Sequence, residues 1–368
     1  MGQYLMESPP GPRAQINGRQ RDYFAGCSYF GLSGHPELMR VAQEALQRYG
    51  LSTGTSRGGF GDSPIYRDLE RASRRYFDAE DITYYVSAYF GSAILLQGLR
   101  DTYDQVFVDE ISHFSVRDGI RMADVPCATF RHCDPDDLAA QLRAGLKPGA
   151  RPLVITDGLF PVSGDIPPLP AYLRALAPYE NASLIVDDAH ASGVLGPLGR
   201  GSLDHFGIAA PRCYAAHTLS KAFAGHGGLI AGSAELKARL AAGAKIMVGA
   251  SETPLPAAAV AARSLDLVWE DPSIRRRLWQ NVAHARAGLR ALGWPLADTP
   301  APIICLGARP GLDLARVQQA LFARDICVLH ATSYSSTPAG GALRIAIFST
   351  HTAEQIDRLI AEIGRLIA

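Results

Sequence analysis

The stretch HTLSKAFAGHGG, His217 to Gly228, sets one amine among small and hydroxyl side chains. Lys221 follows Thr218 and Ser220, and Gly225, Gly227 and Gly228 follow it. An amine in a desolvated pocket has a lowered pKa and becomes a nucleophile able to form a Schiff base. The small residues leave room for a flat ligand and let the chain turn closely beneath it, and Thr218 and Ser220 offer hydroxyls that suit a phosphate. LIVDDAH ends an apolar run with Asp187 and His190, three residues apart. An aspartate in a nearly dry site keeps its charge when a cation meets it, and a protonated pyridine nitrogen is such a cation. DEISHFS places His113 where an imidazole can stack on a flat ring. VSAYFGS turns from strand to helix around Tyr89 and Phe90, and a helix N-terminus presents N–H groups to a phosphate.

Each feature also has an ordinary reading. Asp187 or Asp188 can cap the next turn, His113 can fill a polar niche, and Lys221 can be a loop lysine near glycines. Their joint order is more specific: small-residue turn, His, strand-end Asp-x-x-His, then Thr-x-x-Lys. These are the parts needed to hold pyridoxal phosphate, which takes a Schiff-base lysine and an acidic partner for its ring nitrogen.

Such side chains must be set at the carboxyl ends of strands, where open α/β sheets collect ligands. Between residues 81 and 232 the pattern alternates strand and helix. ITYYV, QVFVDE, CATFRH, PLVITDG, ASLIVDDAH, CYAAHTL and GGLIAGS read as strands. Helices are predicted over SAYFGSAILLQGL, His113 to Met122, after the Asp134-Pro135 cap, and near Pro170 to Leu176. This alternation argues for an α/β domain with a mostly parallel sheet. Upstream, Leu38, Val41, Ala42, Ala45, Leu46 and Tyr49 form one helical stripe, and Ser63-Pro64 opens another helix. Pro9, Pro10 and Pro12 mark a loose N-terminal arm. Beyond residue 255 come two long helices, then PIICLG, a helix from Asp313 to Ala323, ICVLH, LRIAIF and a last helix from Ala353 to Ile367. The expected division is an arm and helix over 1–45, a large domain over 46–265 and a smaller α+β domain over 266–368.

Bulk properties narrow the function. Lys+Arg and Asp+Glu both number 36, and no basic block stands out, so no nucleic-acid partner is expected. No apolar run is long enough for a membrane span, and the N-terminus lacks the marks of a signal peptide. The six cysteines, Cys27, Cys127, Cys133, Cys213, Cys305 and Cys327, are scattered without CxxC spacing. No metal is expected, and reduced thiols fit a cytoplasmic enzyme.

The chain resembles the α-oxoamine synthase family of fold-type I pyridoxal-phosphate enzymes. The likeness runs from YFGLSGHPEL through STGTSRGGFGDSPIYRDLE, DEISHFSVRDGIR, TDGLFPVSGDIPPL, VDDAHASGVLGPLGRG and HTLSKAFAGHGG to LRIAIFSTHT. It implies a large domain with a seven-stranded-type, mostly parallel sheet and a smaller α+β C-terminal domain. It further implies that Lys221 binds the cofactor aldehyde, Asp187 pairs with the ring nitrogen, His190 bonds the ring hydroxyl and His113 stacks on the ring. Thr218 and the turn at Ala88 and Tyr89 would hold the phosphate. Ser251 matches a phosphate contact from the neighbouring subunit, which implies a homodimer with shared active sites. Arg344 matches the residue that clamps the amino-acid carboxylate, and Ser336 a loop position near the acyl substrate.

Three positions depart from the family pattern. Cys27 replaces an asparagine that helps hold the amino acid, Tyr66 replaces a histidine, and Pro161 replaces a serine, with Asp157 standing for glutamate before it. All three are expected on the substrate side. The N-terminus is also shorter than the family's usual one. The expected reaction is condensation of a small amino acid with an acyl thioester, with decarboxylation to an α-amino ketone. The alternatives on the same scaffold are transamination, aldol cleavage or racemisation. A non-enzymatic cofactor-binding subunit is a third class, against which the retained Lys221 argues. His226 has no assigned role.

Overall fold

The computed structural model describes residues 4–367. The chain begins with a hairpin of β1 (Arg13–Ile16) and β2 (Arg19–Tyr23), followed by α1 (Pro36–Tyr49) and α2 (Pro64–Phe77). The prolines that read as a loose arm therefore precede an ordered hairpin. Its second strand pairs with β11 (Ile326–Cys327) near the other end of the chain.

The alternating region runs β3 (Asp81–Tyr85), α3 (Gly91–Gly98), β4 (Gln105–Asp109), α4 (Phe114–Ala123), β5 (Cys127–Phe130), α5 (Pro135–Gly145), β6 (Pro152–Asp157), α6 (Leu169–Leu176) and β7 (Ser183–Asp187). A short α7 (Ser202–His205) precedes β8 (Cys213–Thr218), β9 (Gly228–Gly232) and α8 (Ala234–Gly243). The seven strands form one sheet in the order β3-β9-β8-β7-β6-β4-β5. β4 to β8 are parallel, and β9 runs antiparallel to both neighbours.

Side chains alternate across this sheet, and both faces are covered. Val106, Leu153, Ile155 and Ile185 pack in the core with α3, α4 and α8. Phe107, Val154, Leu184 and Val186 pack on the other face with α5 and α6. The helix starts are fixed locally. Ser63 accepts from the Ile65 N–H, and Asp134 accepts from Asp136 and Asp137, each cap stabilising its helix by about 1 kcal/mol.

The later part holds α9 (Leu255–Glu270), α10 (Ser273–Ala291), β10 (Ile303–Gly307), α11 (Leu314–Ala323), β12 (Leu329–Ala331), β13 (Ala342–Ala346) and α12 (Ala353–Ile367). β10, β13 and β12 form a separate antiparallel sheet. Helix α9 packs along α1 and α2. One continuous apolar core joins these helices to the small sheet. Among the described residues no helix is long and apolar enough to cross a membrane.

Candidate active site

Parallel strands end their polar residues together. β6 closes on Asp157, β7 on Asp187 and β8 on Thr218, and the register sets Asp157 beside Asp187. A cavity of about 730 Å³ opens above these strand ends. Ser87, Ala88, Tyr89, His113, Asp187, His190, Thr218 and Lys221 all line it, so residues spread over 135 positions meet in one place. Cys27 and Arg344 line it as well.

Asp187 is 5% exposed. It accepts from the Ala189 N–H at 3.0 Å and the Ser115 hydroxyl at 3.3 Å, and it has no ion-pair partner among the described residues. Its neighbour Asp157 accepts from the His113 N–H at 2.9 Å. Burial, and then the charge of Asp187, push the Asp157 carboxyl well above the ordinary range. His113 is linked through Nδ1 to the Ser115 hydroxyl at 2.6 Å and through Nε2 to the Tyr334 hydroxyl at 2.6 Å. Ser115 thus stands between His113 and Asp187.

His190 meets the Tyr29 hydroxyl at Nδ1, 2.7 Å away. Burial lowers the imidazole well below its usual value and raises the phenol well above its own, so both are neutral. The Tyr29 oxygen also faces the Arg344 guanidinium, which turns the phenol proton toward His190. The Nε2–H of His190 is then left to donate elsewhere.

Burial likewise lowers the Lys221 amine. The lysine ion pairs among the described residues all belong to Lys237, so the Lys221 amine has no carboxylate partner. The glycines behind it serve packing more than ligand space. A Cβ on Gly225 would lie 2.5 Å from the Ala261 Cβ of α9. Gly227 has φ +93, and a Cβ there would strike Tyr84. The volume cleared around Lys221 is thus largely filled by the protein, which presses this loop onto α9 and β3. Thr218 and Ser220 share a 2.8 Å hydroxyl contact.

Arg344, on β13, crosses from the small sheet into the cavity. It donates to the Pro161 carbonyl at 2.6 Å and the Gly26 carbonyl at 3.0 Å, and approaches the Cys27 sulfur at 3.6 Å. All three acceptors are uncharged groups or a thiol, so the buried guanidinium lacks a carboxylate.

Three expected residues lie elsewhere. Ser336 is buried, accepts the Val162 N–H at 3.1 Å and does not line the cavity. Ser251 is exposed before α9, outside the cavity lining. Tyr66 corrects a reading of the departures. It is fully buried on α2, donates to the Thr253 carbonyl at 2.7 Å and does not face the substrate side. Cys27 and Pro161 do face it, and both hold Arg344. His226 contributes its backbone carbonyl to Tyr84.

The sequence reading missed Tyr29, Ser115 and Tyr334. Tyr29 and Ser115 sit inside recognised stretches, but neither type signals a role by itself. His132 was missed too. It bridges Asp109 at 3.1 Å and Asp165 at 3.2 Å, tying the end of β4 to the loop that carries Pro161. Asp109, His132 and Cys133 lie close enough to hold a metal ion, but His132 is already committed to its two aspartates.

Residues 27–363 match the aminotransferase class I and II family. An 8-amino-7-oxononanoate synthase from Methylococcus capsulatus is 36% identical over 97% of this chain and 92% of its own. Another, from Thermoanaerobacter pseudethanolicus, is 31% identical over 96% and 89%. The chain belongs to the α-oxoamine synthase family.

A serine palmitoyltransferase from S. paucimobilis, solved with bound PLP, superposes with a TM-score of 0.91 at 25% identity, covering 99% of this chain and 92% of that one. The serine palmitoyltransferase of Sphingomonas wittichii gives 0.90 at 26%, over 99% and 91%. The fold is therefore that of fold-type I pyridoxal-phosphate transferases, and this α-oxoamine synthase is a pyridoxal-phosphate enzyme. The donor set fits that cofactor. One cavity holds the buried Asp187 carboxylate without a cation, the Lys221 amine without a carboxylate, the imidazoles of His113 and His190, and hydroxyls at Ser87, Thr218 and Ser220.

Proposed function

We propose that this enzyme condenses a small amino acid with an acyl thioester, with loss of carbon dioxide, to give an α-amino ketone. The observation that carries this reading is that Lys221 and Arg344 face one cavity and neither has a carboxylate partner. An amino-acid carboxylate supplies what Arg344 lacks, and bidentate geometry suits a guanidinium.

In this reading Lys221 holds the cofactor aldehyde, Asp187 the ring nitrogen and His190, through its free N–H, the ring hydroxyl. His113 covers the ring, and Thr218 with the Ala88–Tyr89 turn receives the phosphate. Bound, pyridoxal phosphate supplies an electron sink for the pair left at the substrate Cα. Once the substrate amine has taken its place, Lys221, its pKa lowered by burial, takes the Cα proton. The Cα electron pair attacks the thioester carbonyl, the thiol leaves, carbon dioxide is lost, and Lys221 returns a proton to Cα. Cys27 and Pro161 keep Arg344 aimed through their sulfur and carbonyl.

The working form is a homodimer in which Ser251 reaches the phosphate site of the neighbouring subunit. Its exposure outside its own cavity supports this. Residues 46–265 act as the cofactor domain and 266–368 as the small domain, with 1–45 as arm and first helix. The chain is assigned to the cytoplasm.

The test is a screen of glycine, alanine and serine against acyl-CoA thioesters, with mass detection of the α-amino ketone and of carbon dioxide. Lys221→Ala should abolish product and the visible band of the bound cofactor. Release of a keto acid from the amino acid alone, without thioester, would replace condensation by transamination.

A further inference from the structure

The catalytic cavity has a neighbour. A second cavity of about 530 Å³ adjoins it, and the two share Gly26, Leu329, His330 and Thr332. Its walls come from the N-terminal hairpin region and α11, and include Met6, Ile16, Ala315, Phe322 and Val328. Large apolar side chains stay open to solvent on this wall: Tyr4 is 53% exposed, Met6 38% and Leu329 47%. Tyr4 anchors the N-terminal segment to α11. Its ring lies 4.8 Å from that of Phe322, and its hydroxyl accepts from Gln318 at 3.2 Å. No lysine or arginine lines the groove among the described residues.

We infer that this groove holds the alkyl chain of the acyl thioester, so that the enzyme takes unsubstituted medium or long fatty-acyl thioesters in preference to acetyl or ω-carboxyacyl ones. The inference rests on the condensation reading above. Continuity carries it: a carbonyl placed between Lys221 and Arg344 has its chain directed past Gly26, which offers no side chain, onto apolar surface. Covering exposed Tyr4, Met6 and Leu329 is favourable for hydrocarbon. A terminal carboxylate in the same groove finds no lysine or arginine, and beyond His330 at the junction of the two cavities it is desolvated without a charged partner.

The experiment compares acetyl-, hexanoyl- and decanoyl-CoA with pimeloyl-CoA on the holoenzyme and on Ala315→Trp, which places an indole into the groove from the half-buried first turn of α11. In the wild type, kcat/KM should rise by about threefold to fourfold per buried methylene, and decanoyl-CoA should outperform pimeloyl-CoA. In Ala315→Trp the rise should flatten while acetyl-CoA kinetics and the cofactor band stay as in the wild type. Ala315→Leu should flatten it partly. Equal chain-length slopes in wild type and Ala315→Trp, or pimeloyl-CoA as good as decanoyl-CoA, would overturn the inference. Calorimetric titration of both proteins with decanoyl-CoA and acetyl-CoA reads the groove without turnover. Tighter decanoyl binding that Ala315→Trp abolishes, with no α-amino ketone from any thioester, removes the condensation reading and keeps the groove. Turnover without any gain in chain length removes the groove and keeps condensation.

Discussion

Asp157 and Asp187 end neighbouring parallel strands in register, two buried carboxylates over one cavity. Two such groups this close do not both ionise readily. Asp157 keeps its proton, because burial and the Asp187 charge raise it well above 3.8. Asp157 is therefore a neutral support bonded to the His113 backbone, and Asp187 is the carboxylate proposed for the ring nitrogen.

The two isosteric amides should behave in opposite ways. Asp187→Asn should lower kcat/KM by roughly a hundredfold or more and weaken the visible cofactor band. Asp157→Asn should leave activity within about threefold at neutral pH. A raised folded-state pKa means the folded protein binds the extra proton, so stability falls as pH rises above the ordinary carboxylate value. Asp188, raised to about 7 by burial, acts in the same direction. Cofactor-free Asp157→Asn should thus gain thermal stability over wild type as pH rises from about 4, measured as a difference in Tm that isolates Asp157.

Tyr29 should tune His190 without touching substrate. Tyr29→Phe removes the proton that fixes the imidazole tautomer. It should cost about tenfold in kcat/KM and about 1 kcal/mol of stability. Steady-state kinetics alongside urea unfolding would check both numbers, and unchanged kinetics would remove the tautomer argument.

Arg344 should act on amino-acid binding. Arg344→Lys keeps charge but loses the bidentate fork and the bonds to Pro161 and Gly26. The expected result is a rise in KM for the amino acid of roughly tenfold to a hundredfold, with KM for the thioester changed far less. Two-substrate kinetics separate the two constants. An equal effect on both would place Arg344 elsewhere in the reaction.

His132 should matter to stability. Burial lowers its pKa, but hydrogen bonds to Asp109 and Asp165 raise it to about 12. The gain from its charge is full below its unfolded value of 6.5 and is lost as pH climbs toward about 12. His132→Gln should cost about 2 kcal/mol near neutrality, with the gap to wild type closing in strong alkali. Denaturant melts at several pH values test this, and a constant gap would mean the ion pairs contribute nothing.

The strand pattern was legible because each buried strand is a short apolar run bounded by turn residues, and capping signals such as Asp134-Pro135 act locally. The N-terminal hairpin was not legible. Arg19–Tyr23 is a polar run that becomes a strand by pairing with β11, some three hundred residues away. The antiparallel sense of β9 was likewise hidden, since periodicity carries no direction.

At the site, residue type and order in the sequence by themselves picked out an amine, a strand-end acid and two imidazoles that line one cavity. Only the tertiary structure decided which neighbours complete them. Tyr29 reaches His190 across 161 positions, and Arg344 reaches Pro161 across 183. It also separated three departures that look alike in the sequence, sending Cys27 and Pro161 to Arg344 and Tyr66 into the core. The glycines after Lys221 were legible as a close turn, but what fills their space is Ala261 and Tyr84. Contacts of that kind depend on how distant segments pack, and no local pattern encodes them.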